Sequence, residues 1–407
     1  MENLLKLFIV GKRLLLCTVI RLAALFIERQ PKNIAIGSWG GERYADNSRY
    51  LLEYLDKYQP EYKLFWVGKK AIEDEVLANT ERVVFLRMGR FRTYLTLLTC
   101  QYFFFSQMHS ADISDIDVFC GSTMCYLHHG MPIKKWAKDG LNQEIRAKGL
   151  LQKMVAHYLA HDAKYDYFVT SSALHSMTNC SALSYRGCTA EKNIGTGTPR
   201  NDMYVNYDEK KSAECKKRYA RKLGFSPDSK VYIYLPTYRR VASNIFSFAT
   251  LSCNQQSRLT KFLKENDIVL IEKSHVAEKI CVAGESTDNL IFAERNLNVQ
   301  ELMLFADCVI TDYSGAYLDF ILLERPVIHF AYDYEYYRSV DSGLYYDIED
   351  FSAGPVVESF DALISEMAHI AEGRDMFKQK RAYVRQKYMT YETGNASASI
   401  CHAVLKG

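Results

Sequence analysis

Residues 307–330 read DCVITDYSGAYLDFILLERPVIHF. Cys308 to Ile310 form a short apolar run, the signature of a strand buried on both faces. From Ala316 onward Tyr317, Phe320, Ile321 and Leu323 recur at helical spacing, and the run RPVIHFA starts another strand. Strand, polar loop, helix and strand in that order predict a parallel crossover. Thr311-Asp312-Tyr313-Ser314-Gly315 then lies at the carboxyl end of a parallel strand, where open α/β sheets take their ligands. A helix start offers free N–H groups and partial positive charge, which suit a phosphate. Thr311 and Ser314 add hydroxyls. Ser314 or Asp312 could equally serve only as a helix cap, and local sequence leaves both roles open.

The same alternation extends upstream. KVYIYLPTYRR, LTKFLKEN, DIVLIEKSH, NLIFAE and VQELMLFA alternate as strand and helix ahead of residue 307. An earlier series contains NIAIGSW, DNSRYLLEYLDKY, YKLFWVG, RVVFLR, YFFFSQ, TMCYLHH and YDYFVTSS. Asp46 or Asn47 is the expected N-cap of the helix in the second of these. The Gly/Pro-rich stretch NIGTGTPRNDMYV and the charged helix EKKSAECKKRYARKLGF separate the two series. The fold class expected is α/β with two doubly wound parallel-sheet domains. The predicted boundaries are a domain over 31–205 and a second over 206–385, with an N-terminal helix over 1–30 and a C-terminal helix over 386–407.

Bulk properties exclude little. The 407 residues are 48% hydrophobic and 24% charged, as expected of a globular protein, and the net charge of +3 gives no argument for nucleic acid. Eleven cysteines at irregular spacing form no C-x-x-C pair, so zinc-ribbon and thioredoxin-like chemistry have no support and free buried thiols are expected. The segment LLKLFIVGKRLLLCTVIRLAALFIERQP is apolar but broken by Lys6, Lys12, Arg13 and Arg21. It is too interrupted to span a bilayer. It suits a basic helix lying on the cytoplasmic face of a membrane, with its cations toward anionic headgroups.

Several short motifs carry possible chemistry. YLPTYRR ends a strand with Arg239, able to meet a phosphate bidentately. IEKSH ends another with Lys273 and His275, a pairing that suits an anion. His157 and His161 sit at i and i+4, but Tyr158 replaces the glutamate of a zinc helix and no third ligand is evident. CYLHHGMPIKKWAKDG, residues 125–140, places His128 beside His129 at the end of an apolar run. If strand geometry continues, only one of the two can face a cleft.

These pieces, in this order, resemble the CDP-glycerol glycerophosphotransferase family, which includes teichoic-acid primases and polymerases and related capsule transferases. The resemblance rests on HHGMPIKKWAKD, GTGTPRND, LPTYRR, EKSH and, most specifically, VITDYSGAYLDFILLERPVIHFAYDYEYYRS. GSWGGERYADNSRYLLEYL, SGLYYDIEDFSAGPVVES and ETGNASASI extend it over nearly all of 33–400. It implies a GT-B architecture of two Rossmann-like domains with the active site between them. It also implies transfer of glycerol phosphate, or a related polyol phosphate, from a CDP-linked donor to a hydroxyl of a lipid-linked acceptor, with release of CMP.

Carried onto this chain, the family's H-G histidine, the implied general base, is His129, followed by Gly130. Its K-x-H histidine is His275. The donor-phosphate loop is Thr311, Asp312, Tyr313, Ser314 and Gly315. The acidic residue a turn later is Asp319, the R-P arginine Arg325, the P-T-x-R arginine Arg239, and the P-R-N-D block Pro199 to Asp202, including Arg200. Asp139 is a further candidate for orienting the site. No cofactor, metal or nucleic acid is implied, and the enzyme is expected at the cytoplasmic membrane surface. The chain departs from the family at His128, usually aromatic, at Met131, usually Thr, and at Ala353-Gly354, usually P-G. Parity and the H-G pattern make His129 the acting histidine and His128 a flat packing residue. A CDP-ribitol or sugar-nucleotide transferase is the alternative within the class. A non-catalytic membrane-surface binding protein on the same fold is the alternative outside it.

Overall fold

In the computed structural model, residues 2–140, 150–159, 162–237, 246–273, 286–294, 297–341 and 343–405 are described. The chain divides into two units. The first comprises Met1–His129, Gln143–Asp202 and Tyr391–Gly407; the second comprises Gly130–Asn142 and Met203–Thr390.

The first unit is built on β1 (Gln30–Gly37), β2 (Lys63–Gly68), β3 (Val84–Arg87), β4 (Cys100–Phe105), β5 (Thr123–Tyr126), β6 (Tyr167–Val169) and β7 (Asn193–Ile194). All pairings are parallel and the order is β3-β2-β1-β4-β5-β6-β7. The second unit carries β8 (Lys230–Leu235), β9 (Ile268–Glu272), β10 (Leu290–Phe292), β11 (Cys308–Thr311), β12 (Val327–Phe330) and β13 (Val356–Val357). Its order is β10-β9-β8-β11-β12-β13, again all parallel. Both orders are doubly wound, with the direction of winding reversing between the first and fourth strands of each sheet. That places a ligand crevice at the carboxyl ends of β1 and β4, and of β8 and β11. The apolar runs explain the strands: Ile34 to Ile36 and Cys308 to Ile310 are inaccessible to solvent, as a sheet covered on both faces requires.

Three features differ from the sequence reading. The two-residue strands β7 and β13 lie in Gly/Pro-rich stretches whose turn chemistry hides them. The last helix, Ala396–Val404, returns to the first unit, where Ile400 and Val404 join Ile34, Leu51 and Trp66 in the core. GTGTPRND is not a bare crossing between domains. Gly197 has φ 72°, and a Cβ there would stand 2.6 Å from the Tyr391 carbonyl. Glu392 accepts bonds from the Thr198 N–H at 3.0 Å and the Thr198 hydroxyl at 3.1 Å. Asp202 caps the returning helix through the N–H groups of Ala396 and Ser397, at 2.7 and 3.0 Å.

A helix, α1, spans Glu2–Ala24, and its cations do not all face outward. Arg13 pairs with Asp115 at 3.0 Å and Arg21 with Asp117 at 2.7 Å, while Cys17 and Ile20 are fully buried. Leu15, Leu22 and Phe26, beyond the helix end, are instead exposed. Among the described residues no helix is long and apolar enough to cross a membrane. The described cysteines are free thiols.

Candidate active site

The histidine doublet lies just past the end of β5, which stops at Tyr126. Strand parity therefore does not govern it. His128 takes a left-handed backbone, φ 62°, and Gly130 follows at φ 122°. An L-residue held there costs roughly 1–2 kcal/mol, and the sharp turn lays the two imidazoles face to face. Their centroids are 4.9 Å apart with planes 16° from parallel. His128 is buried beneath, and His129 is exposed above it.

Under His128 stands His175, edge-on at 4.5 Å and fully buried. His175 Nδ1 accepts the Ser171 N–H at 3.1 Å, so its proton sits on Nε2. Burial, reinforced by His129 and Arg200, pushes its pKa down to about 3. Nothing in the sequence marked His175, because a histidine in mid-helix has many structural uses.

The turn is tied to the start of α2 (Asp46–Tyr58). Asn47 donates its side-chain amide to the Leu127 carbonyl at 3.2 Å and the His128 carbonyl at 2.9 Å. Its side-chain oxygen accepts the Arg200 N–H at 3.1 Å. The guanidinium of Arg200 meets Asp46 at 2.7 Å, both buried. Neither Asp46 nor Asn47 is the N-cap: Ala45 holds that position, and Asp46 is itself left-handed at φ 65°, its carboxylate accepting the Asn47 N–H at 2.9 Å.

In the second unit the loop 311–315 lies at the crevice of β8 and β11. Asp312 is fully buried and accepts the Thr237 N–H at 2.9 Å and the Tyr313 N–H at 2.6 Å. Thr311 donates its hydroxyl to the Leu235 carbonyl at 2.7 Å. Both side chains are thus committed to building the loop. Ser314 is the partly exposed member, its hydroxyl oxygen 3.4 Å from the Ala316 N–H. The helix that follows spans only Ala316–Phe320 before tightening into a 3₁₀ turn, so its dipole is small. Asp319 is buried within it.

Gly315 is required by space. Its φ is an ordinary −67°, but a Cβ there would stand 2.8 Å from the Met131 carbonyl oxygen. The segment that carries Met131 is held in this unit by the Ile133 carbonyl accepting the Tyr345 N–H, and by the Tyr345 hydroxyl on Asp139 at 2.7 Å. Burial, reinforced by that contact, holds the Tyr345 phenol well above its usual pKa.

His329, also unmarked by sequence, supports the loop from below. Its Nδ1–H donates to the Asp312 carbonyl at 3.3 Å and its Nε2 accepts the Ala353 N–H at 3.0 Å. Burial lowers its pKa to about 4 despite the opposing pull of Asp312. The Ala353-Gly354 departure is therefore at a packing position, where a Cβ on Gly354 would overlap the Val327 carbonyl.

The structure does not bring Arg325 to this loop. It precedes β12, at the end of the sheet opposite to 311–315, and donates to the Leu304 and Ala306 carbonyls at 3.0 and 2.7 Å. Lys273 is buried at the end of β9. Arg239 and His275 lie outside the described residues, as does His161. Among the described residues no group of three His, Cys, Asp or Glu side chains gathers as metal ligands would.

The model of the family described as CDP-Glycerol:Poly(glycerophosphate) glycerophosphotransferase matches residues 20–406. The chain is 26% identical over 388 residues to a teichoic acid poly(glycerol phosphate) polymerase of Bacillus spizizenii, covering 93% of each. It is 26% identical over 373 residues to a teichoic acid glycerol-phosphate transferase of Staphylococcus aureus, covering 91% of this chain and 92% of that one. Other polymerases of this kind are longer, and the chain spans about half of them. A solved structure of the wall teichoic acid polymerase TagF superposes with a TM-score of 0.78 at 22% identity, over 98% of this chain and 95% of that one. That likeness places the two parallel sheets in the GT-B fold class.

Proposed function

The chain belongs to the CDP-glycerol:poly(glycerophosphate) glycerophosphotransferase family, and we propose that within it His129 is the general base and the 311–315 loop the donor-phosphate support. The reaction is glycerophosphate transfer from CDP-glycerol in teichoic-acid biosynthesis. An acceptor hydroxyl attacks the phosphorus that carries glycerol. The bond from that phosphorus to the bridging oxygen breaks, CMP leaves, and His129 takes the hydroxyl proton. An imidazole titrates near neutral pH, as this step needs. Such chemistry depends mainly on positioning and on neutralising spread negative charge. Ser314 and the backbone of the loop meet the donor phosphates, with Arg239 and the catalytic histidine His275 steadying them. CDP-glycerol is the only small molecule the scheme requires.

The observation that carries this reading is the turn itself: a strained backbone presents one imidazole to solvent on top of two buried ones. His129→Ala, checked for folding by circular dichroism, should abolish most CMP release from CDP-glycerol. Near wild-type release would remove His129 from this role. Running CDP-ribitol beside CDP-glycerol identifies the polyol.

The acceptor is lipid-linked, and the enzyme works at the cytoplasmic membrane face through α1. Support comes from the exposed Leu15 and Leu22 and from Phe26 beyond the helix end. Arg13 and Arg21 are already paired with aspartates, so apolar contact contributes more to membrane affinity than charge does. Leu22→Glu with Phe26→Glu should stop the protein from floating with anionic vesicles. Unchanged flotation would count against α1 as the anchor.

A further inference from the structure

We propose that Asn47 is a positioning residue for the transfer step, acting through the turn that presents His129; this rests on His129 being the base. Asn47 is fully buried, and its one carboxamide fastens three backbone groups on two separate segments. It donates to the carbonyls of Leu127 and His128, at 3.2 and 2.9 Å, and accepts the N–H of Arg200 at 3.1 Å. The two carbonyls flank the left-handed residue, so the amide grips the peptide units on either side of the strained φ.

The strain and the grip belong together. A left-handed histidine relaxes unless its surroundings over-determine it. Relaxation toward extended geometry would swing the following side chain to the other face, and His129 is that side chain. Only an amide fits this place. An aspartate would keep the acceptor for Arg200 but turn an oxygen toward two carbonyl oxygens, and an alanine would remove all three bonds. The Asp46–Arg200 pair flanks Asn47 on both its chain neighbour and its acceptor partner, so the amide has little room to shift.

The test uses the full chain and steady-state CMP release with CDP-glycerol and a lipid-linked acceptor. Asn47→Asp, nearly isosteric, and Asn47→Ala should each lower kcat on the order of 100-fold, the scale of an ångström-sized misplacement. KM for CDP-glycerol should stay within about twofold, since donor support lies elsewhere. In a His129→Ala background neither substitution should lower the residual rate further. If His129→Ala loses most of its activity while Asn47→Asp keeps wild-type kcat, or further lowers the residual rate of His129→Ala, the positioning role is overturned and the base assignment survives. Near wild-type activity in His129→Ala would overturn both. A loss confined to melting temperature, with kcat per folded molecule unchanged, would reduce Asn47 to a structural residue.

Discussion

The turn after β5 and the loop after β11 occupy equivalent ends of two similarly wound sheets, yet they are held by different physics. The turn is strained: His128 and Asp46 are both left-handed, and a buried ion pair stands behind them. The loop is relaxed. Asp312 caps two backbone N–H groups, Thr311 closes on Leu235, and His329 spends both ring nitrogens on backbone. On the roles proposed above, the group that moves a proton is presented on a sprung backbone and the group that holds charge on a saturated one. Strain over-determined by neighbours is a common way to fix a reacting side chain.

The largest effect expected from breaking this contrast is at the ion pair. Asp46→Ala removes one partner of a buried ion pair, which costs about 3–5 kcal/mol. Replacing both, Asp46→Ala with Arg200→Met, should recover much of the stability while leaving the turn poorly held. Denaturant unfolding measures the first part and kcat the second. Asp312→Ala, in the loop, orphans two buried donors and should cost about 1–3 kcal/mol. If the two single variants are equally destabilised, the distinction between charge-held turn and hydrogen-bonded loop is wrong.

A smaller effect is expected at Gly315. Gly315→Ala must push Met131 or the loop by several tenths of an ångström. Overpacking of this kind costs about 1–3 kcal/mol, and because the loop itself moves, KM for CDP-glycerol should rise. Gly354→Ala meets the Val327 carbonyl and the Ile328 backbone and touches no loop residue directly, so it should lower stability with a smaller rise in KM.

The sheets were legible because their strands are unbroken apolar runs, and the 311–315 loop because a strand and a helix bracket it. The turn was half legible. The doublet stood out, but parity reasoning assumed that the strand ran on through His129, and no residue type announces a left-handed histidine. Asn47 looked like a helix cap because capping and long-range bonding use the same amide. Arg325 was grouped with the donor loop by the family resemblance, whereas the intervening helix carries it to the other end of the sheet. The return of residues 391–405 to the first unit is a non-local contact, invisible to any window along the chain.

The subtlest difference concerns the two buried imidazoles. His175 and His329 are both held neutral by burial, with pKa values near 3 and 4 against an ordinary 6.5. The unfolded chain therefore binds their protons first. Each imidazole leaves stability intact above pH 6.5, erodes it as pH falls from there, and stops doing so only below its folded pKa. Between pH 7 and pH 4.5 each should contribute up to about 2–3 kcal/mol of lost stability. His329→Gln and His175→Gln should each flatten that slope while lowering stability at pH 7. The cost at pH 7 should be greater for His329, which uses both ring nitrogens, than for His175, whose Nε2 finds no hydrogen-bond partner among the described residues. Denaturation midpoints across pH 4.5–7 test this directly: an acid slope as steep in the variants as in the wild type would mean that these histidines are already protonated, or exposed, in the folded protein.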